Sequence, residues 1–192
     1  MMTLTRDRIL EAALRLIVSD GPRRASIAEL ARRLGVVKSA LYYHFPGGKE
    51  EIVREVFEHE ERAILSAISR AIGRASGARE RLAALVRATA AHILRVARLY
   101  PVSEDASDEI EEFLAARRRE FLARERALIA SVLRDGVTSG DVREVDADLV
   151  AAAVQGALRQ VVRAYALRPG AQSTRLLAGL VDVVFDGIGG RQ

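Results

Sequence analysis

Between residues 38 and 49 the chain sets Lys38, Ser39, Tyr42, Tyr43, His44 and Lys49, a run of basic, aromatic and hydroxyl side chains with a hydrogen-bond donor on every one. A phenol, an imidazole, a hydroxyl or an ammonium donates to a phosphate oxygen. A lysine also pairs with guanine edges, and an aromatic ring packs on a thymine methyl. That is the chemistry of nucleic-acid recognition. Bond-making chemistry is harder to find. The histidines, His44, His59 and His92, are far apart, and residue 63 is Ala63, so His59-Glu60 does not continue into a zinc-protease motif. The chain has no cysteine, which removes disulfides and thiol nucleophiles. It has no glycine-rich phosphate loop, and its carboxylates read as solvated helix faces. No catalytic residue, cofactor or metal is expected.

The elements that must hold these side chains are short helices. Ser26 and Glu29 have the spacing of a capping box, in which each side chain satisfies a free backbone N–H at a helix start. Ile27, Leu30, Ala31 and Leu34 then share one face. Gly35 supplies a left-handed stop, and a second helix is predicted over Val37 to His44 before Pro46-Gly47-Gly48 breaks the chain. Two short helices around a glycine turn form a helix-turn-helix, whose second helix enters the DNA major groove. Leu41 and Phe45 point inward. Val37, Lys38, Ser39 and Tyr43 form the outer face, and Lys49 sits with free N–H groups in the first turn of the next helix, where both can hold one phosphate. Ser26 can do the same. A helix over Arg6 to Asp20, capped by Thr5 and buried along Ile9, Ala13, Leu16 and Ile17, completes a three-helix unit.

The pattern Ile27-Ala28 with Ala31, Gly35-Val36, Leu41-Tyr42-Tyr43-His44-Phe45 and Lys49-Glu50 resembles the N-terminal domain of the TetR family of bacterial transcriptional regulators, over roughly residues 5 to 57. The resemblance implies DNA-backbone contacts for Tyr42 and His44, a homodimer built on the last two helices, and a small molecule bound in the C-terminal body. Val37 stands where the family usually has a capping serine or threonine. Gly47-Gly48 is a second departure, expected to loosen or shift the Lys49 contact.

Charge supports the DNA reading. Residues 1–50 hold 9 Lys+Arg against 5 Asp+Glu, and residues 51–192 hold 21 against 21, so the whole excess of +4 lies in the helix-turn-helix segment. No segment approaches the ~18 apolar residues of a membrane span, and Arg6, Asp7, Arg8 and Glu11 interrupt the N-terminus, so a cytoplasmic protein without a signal peptide is expected.

The remaining chain also has helical periodicity, giving an all-α fold: residues 1–48 as the DNA-binding domain, residues 49–192 as a ligand-binding and dimerisation domain. Helices are predicted over 49–72, 78–99, 107–135, 146–167 and 174–185, with a short piece near 101–106 and a turn framed by Gly136 and Gly140. The segment from Gly136 to Asp146 resembles a turn of the same family, with Val142 where an aromatic is often found. Small residues Ala151, Ala152, Ala153 and Gly156 permit close helix approach. Val154, Leu158, Val161 and Tyr165, with Leu177, Leu180, Val181 and Val184, form an apolar arc that suits a dimer interface or the chain's own core.

His59 continues the stripe Ile52, Val56, Ala63, and His92 the stripe Leu85, Thr89, Val96. Each is either a hydrogen-bonded core histidine or a polar group at the edge of a cavity. Candidate pocket residues are therefore Val56, Phe57, His59, Leu85, Thr89, His92, Val96 and Phe121, mostly apolar. Arg117-Arg118-Arg119 suits an anionic head group or a solvated face. The expected function is a repressor released from its DNA operator by a small apolar or amphipathic ligand. An architectural DNA binder, its body serving dimerisation alone, is the alternative.

Overall fold

Among the described residues the apolar periodicities are realised as helix. The structure is a computed structural model describing residues 4–99, 104–166 and 172–188, with side-chain surroundings for residues 4–95, 119–161 and 176–187. It contains α1 (Arg6–Asp20), α2 (Ile27–Leu34), α3 (Lys38–His44), α4 (Gly48–Gly73), α5 (Gly77–Leu99), α6 (Glu104–Ser139), α7 (Ala147–Ala166) and α8 (Gln172–Ile188). Among the described residues there is no strand, and no helix is long and apolar enough to cross a membrane. The chain forms two units, Met1–Arg62 with Leu99–Arg117, and Ala63–Arg98 with Arg118–Gln192.

In the first unit α1 packs on α2 and α2 on α3. Thr5 Oγ1 accepts the Arg8 N–H at 3.3 Å and caps α1. Gly35 closes α2 in the left-handed region, φ 68°. The domain boundary expected at residue 48 followed the Pro46-Gly47-Gly48 break. The first compact unit takes in α4 as far as Arg62, and there Ile52 and Val53 line one small cleft with Ala13, Leu16, Ile17 and Leu30. A helix that completes a core belongs to that core, wherever its first turn begins.

The second unit is built around Ile68, Leu82, Leu85, Ile129, Leu133, Ala151 and Leu158, all fully or almost fully buried. α7 packs on α8. Two expectations are corrected here. First, Gly136 does not frame a turn. α6 runs through it, and Gly140 at φ 82° is the actual stop. A Cβ at Gly136 would lie 2.6 Å from Ala78 Cβ and 2.8 Å from Val142 Cγ2, so glycine is there for close approach. Val142, at the position where an aromatic was expected, is 2% exposed and fills that space. The same turn caps α5, Asp141 Oδ2 accepting the Ala78 N–H at 3.2 Å. Asp146 caps α7 through the Asp148 and Leu149 N–H groups, at 3.1 and 3.0 Å.

Second, the apolar arc of the last two helices mostly serves the chain's own core. Val154, Leu158, Leu177 and Val181 are buried, and Val161, Leu180 and Val184 are half-buried against the same cluster. The solvent faces carry Leu149, Ala153 and Gly156 on α7, and Leu176 and Val183 on α8. Tyr165 and Val96 lie outside the residues whose side chains are described, as do Arg117 and Arg118, while Arg119 is exposed. Of the short piece expected near 101–106, residues 101–103 lie outside the described residues and 104–106 already belong to α6.

Gly136→Ala is expected to destabilise the protein by about 1–3 kcal/mol through overpacking, although alanine has ~1 kcal/mol better helix propensity than glycine. Gly73→Ala, where nothing lies within 4 Å, is expected to be near neutral. Urea unfolding followed by far-UV circular dichroism compares the two. Equal stability of both variants would show that Ala78 and Val142 can yield without cost.

Candidate nucleic-acid interface

α3 is seven residues long and presents two opposite faces. Leu41, and Phe45 just after the helix, are 0% exposed. Lys38 and Ser39 are in solvent, and Tyr43 is 83% and Tyr42 48% exposed. Val37, 69% exposed, is the N-cap residue and has no side-chain capping bond, as its apolar side chain dictates. His44 is half-buried, its ring edge-on to Tyr43 at 5.4 Å.

Three contacts hold this helix. Arg6 of α1, a residue the sequence reading did not single out, donates to the His44 carbonyl and pairs with Glu55 of α4. Its guanidinium lies over the Phe45 ring, 4.1 Å from the centroid. Gly48 adopts φ 66°, and a Cβ there would approach Tyr42 Cε1 to 3.2 Å, so the position needs glycine on both counts. The glycine pair was expected to loosen Lys49. Instead the turn is tied down: Gly47 N–H donates to Glu51 Oε2 at 2.7 Å, and half-buried Lys49 donates through Nζ to the Arg23 carbonyl at 2.7 Å.

Ser26 Oγ accepts the Glu29 N–H at 3.1 Å, the first half of the capping box, and that bond leaves the hydroxyl proton to donate elsewhere. The expected return bond from the Glu29 side chain is replaced. Its carboxylate takes Arg32 Nη2 at 2.6 Å and Nε at 2.8 Å, and Arg33 Nε at 2.8 Å. Arg33 also reaches Asp20 at 3.2 Å. Two charge-assisted guanidinium partners outcompete one backbone amide. They hold the Glu29 carboxyl down to about 2 from 4.5, chiefly through the Arg32 and then the Arg33 hydrogen bonds. Two cations of the basic segment are thereby partly neutralised within α2.

The pocket candidates divide between the units. Val56 and Phe57 are buried in the first. Leu85 and Thr89 are buried in the second, where His92 and Phe121 are half-buried. His59 is corrected: it is exposed. The stripe Ile52–Val56 is buried for two turns but opens to solvent at His59 and half-opens at Ala63, while burial on α4 continues along Val53, Phe57, Ile64 and Ile68. Thr89 donates to Glu125 Oε1 at 3.5 Å. Glu125 is itself 1% exposed, which corrects the reading of the carboxylates as solvated faces. No sequence signal separates it from the exposed acids around it.

A carboxyl depressed in the folded state contributes stability above its unfolded value, and that stability is lost as the pH falls. The difference in melting temperature between wild type and Glu29→Gln is therefore expected to be constant above pH ~5 and to shrink as pH drops from about 4.5 toward about 2. Thermal melts from pH 7 to pH 3 measure it. The same difference at both ends would show that the Arg32 and Arg33 bonds do not act on Glu29 ionisation.

Residues 9–56 match the sequence profile described as bacterial regulatory proteins, tetR family. The nucleoid occlusion factor SlmA of Marinobacter nauticus is 30% identical over 169 residues, 85% of this chain and 86% of that protein. The transcriptional regulator BetI of Brucella anthropi is 34% identical over 86 residues, and there the match covers 45% of this chain and less than half, 44%, of BetI. The transcriptional regulator FadR of Bacillus subtilis, solved in complex with stearoyl-CoA, superposes with a TM-score of 0.73 at 18% identity, over 96% of this chain and all of that one. That last likeness is one of fold. BetI is named as a transcriptional regulator and SlmA as a nucleoid occlusion factor, the SlmA match runs through most of both chains, and the helix-turn-helix geometry lies inside the profile match. The chain belongs to the TetR family of bacterial transcriptional regulators.

Proposed function

We propose that this regulator is a homodimeric repressor, working in the cytoplasm and released from its operator by a small apolar or amphipathic effector. Residues 1–48 read DNA, and residues 49–192 sense the effector and dimerise. One observation carries the DNA half: α3 exposes Lys38, Ser39 and Tyr43 on one side while Leu41 and Phe45 lock the other. Lys38 and Tyr43 meet base edges, with Val37 beside them. Ser26, Tyr42, His44 and Lys49 hold phosphates. Lys49 already bonds the Arg23 carbonyl, so its part is to fix the turn and add one positive charge beside the backbone.

Dimerisation uses the solvent faces of α7 and α8. Leu149, Ala153 and Gly156 recur at four- and three-residue spacing on one, and Leu176 and Val183 flank the half-buried Leu180 on the other. Gly156, Gly179 and Gly187 have open space where a Cβ would stand, which allows a second backbone to come close. The effector half rests on the apolar body and on family kinship, and the FadR structure with stearoyl-CoA is one protein of this fold with a ligand in place. Release requires the effector to bind the DNA-bound and free states with different affinity. α4 contributes residues to both units and is the proposed carrier of that change.

Selection from random DNA is expected to return a near-palindromic site with half-sites about one helical turn apart. On that site Lys38→Ala is expected to relax preference at particular base pairs by ~1–3 kcal/mol, whereas Tyr42→Phe and His44→Ala weaken all sequences alike. Competition among single-base operator variants separates the two effects, and an unchanged preference profile in Lys38→Ala removes its base-reading role.

Val183→Glu is expected to convert the dimer to a folded monomer, because Val183 is 73% exposed in the single chain. Leu158→Ala, at 1% exposure, is instead expected to cost about 2–5 kcal/mol of fold stability. Sedimentation at micromolar concentration tests both. A wild-type monomer there would end the homodimer reading.

A further inference from the structure

The second unit buries a polar cluster drawn from three helices. Thr89 of α5, Glu125 of α6 and Gln155 of α7 are 3%, 1% and 3% exposed. Gln155 Nε2 donates to Glu125 Oε2 and to the Leu122 carbonyl, both at 2.8 Å. Arg126 Nε donates to Gln155 Oε1 at 3.2 Å. Arg159, one turn beyond Gln155, brings Nη2 to 3.6 Å from Glu125 Oε2, close enough for an ion pair but too long for a good hydrogen bond. Its Nε is fully buried and has no hydrogen-bond partner among the described residues.

A buried N–H without an acceptor is costly and rare in a native fold. Among the described residues Glu125 is the carboxylate paired with Arg159, while Arg126, which bonds Gln155, is exposed to solvent. Burial pushes the Arg159 guanidinium below its usual range, and Glu125 opposes this only in part. Arg159 is not sealed off: its side chain keeps 30% exposure, and its guanidinium lies 5.8 Å from the centre of the half-buried Phe121 ring. The site thus offers a donor unused among the described residues, a cation only loosely paired with Glu125, and an aromatic wall.

We propose that this cluster is the polar end of the effector site, and that the effector carries a carboxylate which accepts from Arg159 Nε–H while its apolar body lies against Phe121. Nε and a terminal nitrogen of one guanidinium form the planar fork that fits two carboxylate oxygens. A single guanidinium fork matches a carboxylate monoanion better than a phosphate dianion. Glu125 is then the internal competitor that holds Arg159 in place until the ligand arrives. The proposal rests on the ligand-responsive reading above and supplies its missing chemistry.

The test is calorimetric titration of the full-length protein with matched pairs, below their micelle concentrations: butyrate, octanoate, laurate and benzoate, each against the alcohol of the same carbon skeleton, with inorganic phosphate as a separate arm. At least one carboxylate is expected to bind about tenfold or more tightly than its alcohol, the value of one charge-assisted hydrogen bond. Arg159→Gln should abolish that preference and leave alcohol binding unchanged. Arg159→Lys, which keeps the charge but loses Nε–H, should keep only part of it. Glu125→Gln should strengthen carboxylate binding, because the competitor is gone. That direction decides the matter if the Arg159 variants do not fold, since a purely structural cluster would weaken both members of a pair alike. Equal binding of acid and alcohol in every pair, no binding of any carboxylate, tighter binding of phosphate than of the acids, or an undiminished preference in Arg159→Gln would each overturn the proposal. Operator binding measured with the same compounds separates the two readings. Carboxylate preference without operator release removes the ligand-responsive repressor and keeps the site. Operator release by acid and alcohol equally does the reverse.

Discussion

Seven residues make fewer than two turns of α-helix, too few to persist alone in water, because nucleation fixes several dihedrals for each hydrogen bond gained. α3 therefore exists only because something else holds it. Leu41 and Phe45 are buried without residual exposure, and the Arg6 guanidinium covers the Phe45 ring while donating to the carbonyl of His44 at the helix end. The turn that follows is fixed by Gly48, whose positive φ and missing Cβ make room for the Tyr42 ring. The exposed set Val37, Lys38, Ser39 and Tyr43 is rigid because of these inward contacts. A recognition surface on so short an element is a property of the unit beneath it, and this is why the unit extends into α4.

The same logic gives Lys49, Glu29 and Arg6 their places. Each is charged and lies in or beside the basic segment, yet each is engaged within the protein. Such contacts are individually weak at exposed sites. Their effect is to set which cations remain for a partner. Glu29 draws Arg32 and Arg33 along α2, while Lys38 stands exposed on α3. Glu29 is already counted in the formal excess of +4, so these pairs leave the net charge unchanged and alter only where the cations are held.

In the second unit the apolar contacts fix the helices and the polar ones single out a place. Ile129, Leu133, Ala151 and Leu158 are interchangeable in kind with many core residues. Glu125, Gln155 and Arg159 are not, because buried polar groups are tolerated only with partners of matching geometry. Gly136 and Val142 show a similar constraint in apolar form, where a methyl group more would collide with Ala78.

What the sequence determined by itself is local. Thr5, Ser26 and Gly35 mark helix ends through hydrogen bonds or dihedral angles confined to a few neighbouring residues, and the observed boundaries of α1 and α2 follow from them. The inward Leu41 and Phe45 and the outward Lys38 and Tyr43 were legible too, since a period of 3.6 residues divides a short helix into two faces. The tertiary structure decided everything that depends on residues distant in the chain. Val154, Leu158, Leu177 and Val181 show the same periodicity whether they face a second subunit or their own core, and only the packing of α7 on α8 assigns them to the core. His59 continues a stripe that turns to solvent, which no spacing on α4 records. Glu125 resembles every other acid of α6 until Gln155 and Arg159, some thirty residues away, are brought beside it. Periodicity fixes the direction of a side chain around its own axis, and the partner that meets it there is set by the fold.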